Sequence, residues 1–297
     1  METMFTLVFA SMAAGTPLVL AGLGELVTER TGVLNLGVEG MMLMGAAAGF
    51  VAGVESGSLV VGFALSMGAG LLMALGFAAL TLGLQANQVA SGLALTIFGL
   101  GASAYIGLDY TGESLTGLAP LGGWLDIDVI ALGAPLLAVV VARVLYATRL
   151  GTVIRAIGES PAHAHAHGLA VLRIRLAAVL FGGALAGLAG GYLSLVYTPL
   201  WSEGMTAGRG WIALALVVFA TWRPGRLLVG AYLFGGITIA QLHLQGQGVA
   251  IPAELLSALP YLITIVALVL ISRRVRQGGA EESPRSLGQP FHPRSDG

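Results

Sequence analysis

The sequence contains no cysteine and no lysine. Without cysteine there are no disulfides, no thiol nucleophile and no thiolate-bound metal. Without lysine there is no phosphate-binding loop of the form G-x-x-x-x-G-K-[ST], so the chain cannot hydrolyse ATP by itself. Charge is scarce as well: 10% of the 297 residues are charged and the formal net charge is −1. A soluble domain carries about 25% charged residues. There are too few here to coat a water-facing surface, and no basic excess for nucleic acid.

What is present is apolar: 56% of residues are hydrophobic and the mean hydropathy is +0.88. For most of this chain the solvent is lipid. Glycine accounts for 45 residues, about 15% against a usual ~7%. Such a composition weakens helices in water, but in a bilayer it lets helix backbones approach closely. The run Gly182-Gly183…Gly187…Gly190-Gly191 is of this packing kind. The N-terminal Met1-Glu2-Thr3-Met4 has no basic n-region and reads as the edge of a first span rather than a cleaved signal.

Apolar stretches long enough to matter lie at about 5–23, 36–54, 58–84, 91–108, 128–147, 175–197, 211–222, 227–245 and 257–272. They imply an all-α, polytopic membrane bundle of about 8–10 transmembrane helices within a transmembrane domain 1–272, with room for broken or re-entrant helices. Stretch 58–84 is long enough for one tilted helix or a helix plus a re-entrant piece, and 211–222 is short enough for a half-helix. Residues 273–297, rich in Gly, Pro, Ser and charge, read as a disordered tail. The external segment 109–127 reads as irregular, with room for a short surface helix.

Arginine placement orients the bundle. With the 148–174 loop cytoplasmic, Arg30, Arg143, Arg149, Arg155, Arg173, Arg175, Arg223, Arg226, Arg273, Arg274, Arg276, Arg285 and Arg294 share its side, and Arg209 alone falls opposite. Nine crossings, an external N-terminus and a cytoplasmic C-terminus follow. Glu55, Asp109, Glu113, Asp126, Asp128, Glu203 and Glu254 then lie outside.

Within the 148–174 loop, Ser160-Pro161 signals a helix start and Gly168 a stop. The run Gly151, Arg155, Ala156, Gly158, Glu159, Pro161, Ala164, Gly168 resembles the coupling loop of the branched-chain amino acid, ribose and nucleoside permeases of ABC importers. Glu29-Arg-Thr-Gly-Val-Leu-Asn-Leu-Gly-Val-Glu-Gly-Met41 resembles the signature of the nucleoside (basic membrane protein-linked) uptake permeases. Asn87-Gln-Val-Ala-Ser-Gly92 and Gly208-Arg-Gly-Trp-Ile-Ala-Leu-Ala215 fit that subgroup too. The resemblance covers residues ~20–270.

This likeness implies a non-enzymatic permease subunit in the bacterial cytoplasmic (inner) membrane, with no cofactor. Its partners would be a second homologous permease, a cytoplasmic ATPase with two nucleotide-binding domains, and an external substrate-binding lipoprotein. The cargo implied is a nucleoside, with simple sugars or branched-chain amino acids as the alternative. A stand-alone transporter or channel needs coupling carboxylates within its spans, and Glu39 is the one candidate of appeal. A membrane enzyme needs paired catalytic groups at one depth, which the sequence does not offer.

Individual residues carry two readings each. Arg155 and Glu159, four apart, either pair on a helix face or position the loop. His163, His165 and His167 form a docking surface or, far less economically, a weak metal site. Asn35 and Glu39 line a solute path or hold a Gly-rich helix end. Asn87 and Gln88 line a cavity with amides suited to a nucleoside, or cap a helix. Trp201, Trp211 and Trp222 form an interfacial belt, with Trp211 an alternative stacking platform for a base. The orientation has a direct test. Protease cleavage at 163–167, or labelling of a cysteine introduced there, is expected to require access from the cytoplasmic side, and reaction in intact cells from outside would refute it.

Overall fold

Hydrocarbon about 30 Å thick is crossed by a helix of about 20 apolar residues. The computed structural model has seven such helices among the described residues, which are 2–122, 127–246, 258–263, 266–267, 270 and 283–292. Helix α1 (Glu2–Arg30) is followed by α2 (Val38–Ser56), α3 (Leu59–Ala78) and α4 (Gln88–Gly107). Then come α5 (Val129–Ala147), the two short helices α6 (Arg149–Glu159) and α7 (Pro161–Ala166), α8 (Val171–Tyr192), α9 (Arg209–Phe219) and α10 (Pro224–Gly246). The stretch 58–84 is one continuous span, because α3 runs on through a wide π turn, Ala79–Gly83. Helix α8 ends in the same way, at Leu193–Tyr197.

Helices α1, α2 and α8 form the centre, and α8 packs against both others and against α3. Glycine makes this possible. A Cβ on Gly187 would lie 2.2 Å from the carbonyl of Ser66, and one on Gly190 would lie 1.8 Å from the carbonyl of Met42. On the opposite side of the seam, a Cβ on Gly45 would reach the Gly187 carbonyl at 2.3 Å. Backbones meet directly where no side chain fits, and dispersion between them replaces the hydrophobic drive that lipid cannot supply. The outer helices α3, α4, α5 and α10 turn side chains such as Val60, Leu72, Ile97, Leu136 and Val229 outward, as a lipid-facing surface requires.

Several features differ from the sequence-based expectation. Helix α1 continues to Arg30 rather than stopping near 23, since Glu25, Thr28 and Glu29 find partners inside the protein. In segment 109–127 no surface helix appears among the described residues beyond the 3₁₀ turn Leu108–Tyr110; instead Leu115 N donates to Pro199 O and Ser114 pairs with Leu200. The ninth apolar stretch is described only in part: residues 258–263 are helical, and the Tyr261 ring meets Phe234 of α10 edge-on at 5.9 Å. Asp126, Glu254, Arg273, Arg274, Arg276 and Arg294 lie outside the described residues.

The tail requires a correction. Residues 283–292, read from composition as part of a disordered segment, are packed against the rest of the protein. Ser286 N donates to Gly158 O, Gly288 N donates to Gly32 O, and Pro284, Ser286 and Phe291 are buried. One buried ring and a few backbone hydrogen bonds suffice to order ten residues when the receiving surface is already built, which composition alone cannot register.

The seam suggests a substitution. Gly190→Val is expected to force α2 and α8 apart and to lower stability by at least the 1–3 kcal/mol typical of overpacking. A fall in the midpoint of detergent-induced unfolding would report it.

Candidate functional site

The connection between α5 and α8 is a helical hook. Thr148 caps α6 by accepting from Gly151 N, and a Cβ at Gly151 would collide with the carbonyls of Val144 and Leu145. Only glycine lets α6 fold back so sharply on the end of α5. Ile154, Ile157 and Gly158 face inward, while Ala156 and Glu159 face out. Ser160 breaks the helix in extended backbone, its hydroxyl accepts from His163 N, and Pro161 opens α7. Gly168, at φ +79°, ends the hook. Ala164 is buried beneath it, with Ala162, His163, His165, Ala166 and His167 exposed on a ridge.

Arg155 and Glu159 do not pair. The Arg155 guanidinium lies 5.4 Å from the centre of the Tyr146 ring, and Glu159 meets Arg285 at 3.7 Å. The ring offers a planar cation a face, and Arg155 Nε also donates to Gly151 O one turn back at 3.4 Å. The imidazoles are separately engaged: His163 Nδ1 shares a hydrogen bond of 2.7 Å with Ser160 Oγ, and the His165 ring meets Phe291 edge-on at 5.7 Å. Among the described residues no three ligating side chains come together for a metal.

The hook rests on a buried knot of helix ends. A Cβ at Gly158 would lie 2.2 Å from the carbonyl of Arg30, so α6 touches the end of α1 directly. Arg30 donates to Tyr146 Oη on α5 and to the Trp222 carbonyl after α9, both at 3.0 Å. The indole N–H of Trp222 donates to Glu29 at 2.5 Å. Trp222 and Trp201 are therefore buried, at 6% and 2% exposure, rather than forming an interfacial belt with Trp211. An indole N–H buried at a helix end seeks a partner as readily as one at a headgroup. Thr221 and Trp222 both adopt left-handed backbone, at φ 51° and 54°. For non-glycine residues that costs on the order of 1–3 kcal/mol each, and these contacts hold it in place.

The second region lies deeper. Helix α9 has 11 residues, about 16 Å, so it reaches from this knot only half-way across the bilayer. Its N-terminus meets Glu39. One oxygen of Glu39 accepts from Thr206 Oγ1 at 2.6 Å and from Gly208 N at 2.8 Å; the other accepts from Gly210 N at 2.6 Å. Anions are stabilised at helix N-termini by these free amides and by the dipole. Gly40 lies against Gly99, eleven positions along α4 from Gln88, which gives the same depth. The non-helical segment 31–37 between α1 and α2 is stitched in place. Asn35 N donates to Glu25, Gly37 N donates to the Asn35 side chain, and Leu34 N donates to Gln88. Asn87 caps α4 by accepting from Ala90 N.

Of the five residues expected along a solute path, Asn35 and Gln88 bond to the non-helical 31–37 segment, Glu39 receives the start of α9 a turn further on, and Asn87 caps the neighbouring helix, leaving Trp211 exposed at the start of α9. None of the five lines the cavity of about 240 Å³ bounded by Thr6, Phe9, Pro120, Asp128, Tyr192 and Tyr197. There Asp128 caps α5 through Ile130 N and Ala131 N and accepts from Tyr192 Oη at 2.7 Å. Sequence reading missed Glu25, Thr206 and the buried roles of Glu29 and Trp222. Glu25 and Glu29 were visible as acids near the end of an apolar run, but their partners lie 10 and 193 positions away.

A family model described as a branched-chain amino acid transport system permease component matches residues 7–268. The chain belongs to this family. Among relatives, a Haloferax volcanii protein with the provisional name of a glucose ABC transporter permease is 43% identical, over 87% of this chain and 89% of its own. The guanosine ABC transporter permease NupQ of Bacillus subtilis is 31% identical over 95% of each chain. The nucleoside ABC transporter permease NupC of Lactococcus lactis is 28% identical over 100% of this chain and 96% of its own. No solved structure matches significantly.

This permease is thus the transmembrane part of an ABC importer, and ATP is hydrolysed by a partner. Its broken centre depends on Glu39, which gives a prediction. Glu39→Gln keeps one acceptor oxygen for three donors, so with Oε1 retaining Thr206 and Gly208 the buried Gly210 N faces an NH2 and is left unpaired. Each such loss costs about 1–3 kcal/mol, so the variant's thermal midpoint in detergent is expected to fall well below that of Thr206→Val.

Proposed function

We propose that this permease imports nucleosides, by rocking about its broken centre when a cytoplasmic ATPase moves the α6–α7 hook. The observation that carries this reading is the hook itself. Its ridge is exposed, its underside is bonded to the ends of α1 and α5, and it sits at the end of the bundle that holds Arg30, Arg149, Arg155, Arg173 and Arg285. A short rigid helix clamped in this way transmits a push to the spans instead of yielding.

In this reading Gly151, Arg155, Ala156, Gly158, Glu159, Pro161, Ala164 and Gly168 build the docking element. Glycine and alanine permit close approach, Pro161 and Gly168 set its ends, and Arg155 pins it to Tyr146. The ATPase carries two nucleotide-binding domains, a second related permease completes the pathway, and an external lipoprotein delivers the solute. The N-terminus is outside and the C-terminus cytoplasmic. Asn35, Glu39, Asn87 and Gln88 act on the pathway by holding the non-helical segments at depth, where irregular backbone is tolerated only against protein or a cavity. Trp211, exposed at the mouth of α9, offers a face to a nucleobase.

The nucleoside assignment rests on the Glu29–Met41 motif and on the two relatives named for guanosine and nucleosides. A sugar is the second reading, favoured by the Haloferax relative. Uptake of labelled guanosine and of labelled glucose in cells with and without the permease decides between them: guanosine uptake is expected to be lost on deletion, with glucose uptake unchanged. The reverse outcome assigns the sugar. For the hook, Gly158→Pro or deletion of 158–168 is expected to abolish co-purification of the ATPase while the permease still inserts, and intact co-purification would refute the docking role.

A further inference from the structure

The Ser283–His292 segment lies between the hook and the break after α1, and it touches both. Ser286 is its centre. Its N–H and its hydroxyl both donate to the carbonyl of Gly158 at the end of α6, at 2.9 and 2.7 Å. Two residues on, Gly288 N donates to Gly32 O at 3.1 Å. Gly32 opens the non-helical segment that leads to Asn35 and Glu39, and a Cβ there would lie 2.2 Å from Ser286 Oγ. Phe291 is the anchor. Its ring is buried among Ile157, Ala164 and Val171, one from each of α6, α7 and α8, and it meets His165 edge-on.

Arg175 ties these parts together. It is fully buried on α8, and its guanidinium donates to Thr31 O, Ser286 Oγ and Gln289 O, at 3.0, 3.2 and 3.4 Å. The Phe291 ring centre is 6.0 Å away. Most of this ligand set comes from the 283–292 segment. Were the segment to lift away, Arg175 would lose two of its three acceptors, Gly158 would lose both donors of Ser286, and the Phe291 ring would leave its apolar pocket for water. The contacts therefore describe a permanent fixture and not a latch that opens in each cycle.

We infer that residues 283–292 and Arg175 are positioning elements that join the hook rigidly to the Thr31–Gly37 break, so that displacement of α7 by the ATPase is delivered to the segment below Glu39. This inference rests on the docking role proposed for the hook. Adjacency alone does not establish coupling, so the test measures coupling and not stability.

The full importer, with its partner permease, ATPase and binding protein, is reconstituted in liposomes, and solute transported per ATP hydrolysed is read for each variant. Phe291→Ala is expected to keep the ATPase bound, since the outer ridge of α7 is untouched, and to lower transport per ATP by about fivefold or more. An unchanged ratio overturns the inference, including the case in which complex yield, transport and hydrolysis all fall together, as a merely structural role requires.

The pair Gln85→Cys/His292→Cys guards against misfolding of the first variant. Gln85 Nε2 donates to the carbonyl of Phe291 at 3.4 Å, neither residue belongs to the docking element, and the chain has no other cysteine. A short, reducible bis-thiol reagent is expected to cross-link them and to leave transport per ATP unchanged, because a permanent fixture loses nothing on being tied down. Loss of transport on cross-linking and recovery on reduction would show a latch and overturn the inference. If the unaltered permease fails to bind the ATPase, the docking role fails and takes this inference with it. Normal binding with an unchanged ratio in Phe291→Ala removes the strap alone.

Discussion

A single carboxylate, Glu39, terminates two interrupted elements at once. At bilayer depth no water completes an unpaired N–H, so a helix that starts there must find its acceptors within the protein. Helix α9 finds them in both oxygens of Glu39, with Thr206 as the third donor. Each such charge-assisted bond is worth about 1.5–3 kcal/mol net, and the helix dipole adds up to about 2 kcal/mol. Those gains are of the size needed to offset the several kcal/mol for desolvating one ion. The non-helical chain before α9 and the non-helical chain before α2 are thus two halves of one joint, meeting at the same carboxylate.

Around that joint the protein alternates stiffness and freedom. Where α8 meets α2 and α3, backbone touches backbone through Gly45, Gly70, Gly187 and Gly190. Contacts of this kind are discrete and do not slide gradually, since a fraction of an ångström already produces overlap. The outer surface is different. Leu72, Ile97, Phe98 and Leu136 face outward, and lipid accommodates their movement at little cost. A stiff central seam inside a compliant annulus suits the proposed alternating access, in which one rigid group rocks against another.

Much of this was legible from the residues alone. The long spans announced themselves as apolar runs, because in lipid the pattern needed is length and not periodicity. The short stretch 211–222 was readable as a half-helix on the same ground. Ser160, Pro161 and Gly168 marked α7 because each acts within a turn or two of its own position. What escaped was set by distant partners. Trp222 and Trp201 look like interfacial tryptophans until Glu29 and the end of α4 are seen beside them. Arg155 and Glu159 have a suitable helical spacing, yet the Tyr146 ring and Arg285 compete successfully for them. Residues 283–292 have the composition of a disordered tail, and only the prior existence of a slot between α6, α7 and α8 gives Phe291 somewhere to go.

In the proposed coupling, the knot of Glu29, Arg30, Tyr146 and Trp222 is what keeps a push on the hook from dissipating locally. The ends of α1, α5 and α9 meet there, and α6 lies on the Arg30 carbonyl with no space for a Cβ between them. The reversal into α10 passes through two left-handed non-glycine residues, a conformation that survives only while its surroundings hold it. Loosening any one of these contacts would let that turn relax and disconnect α9 from α1. A displacement of the hook must then either break the knot or move it whole. With α9 rigidly attached at one end and locked to Glu39 at the other, moving the knot moves the mid-membrane joint. On that proposal, a contact at one end of the bundle reaches the joint at Glu39 through packed elements alone, with no flexible link along the route.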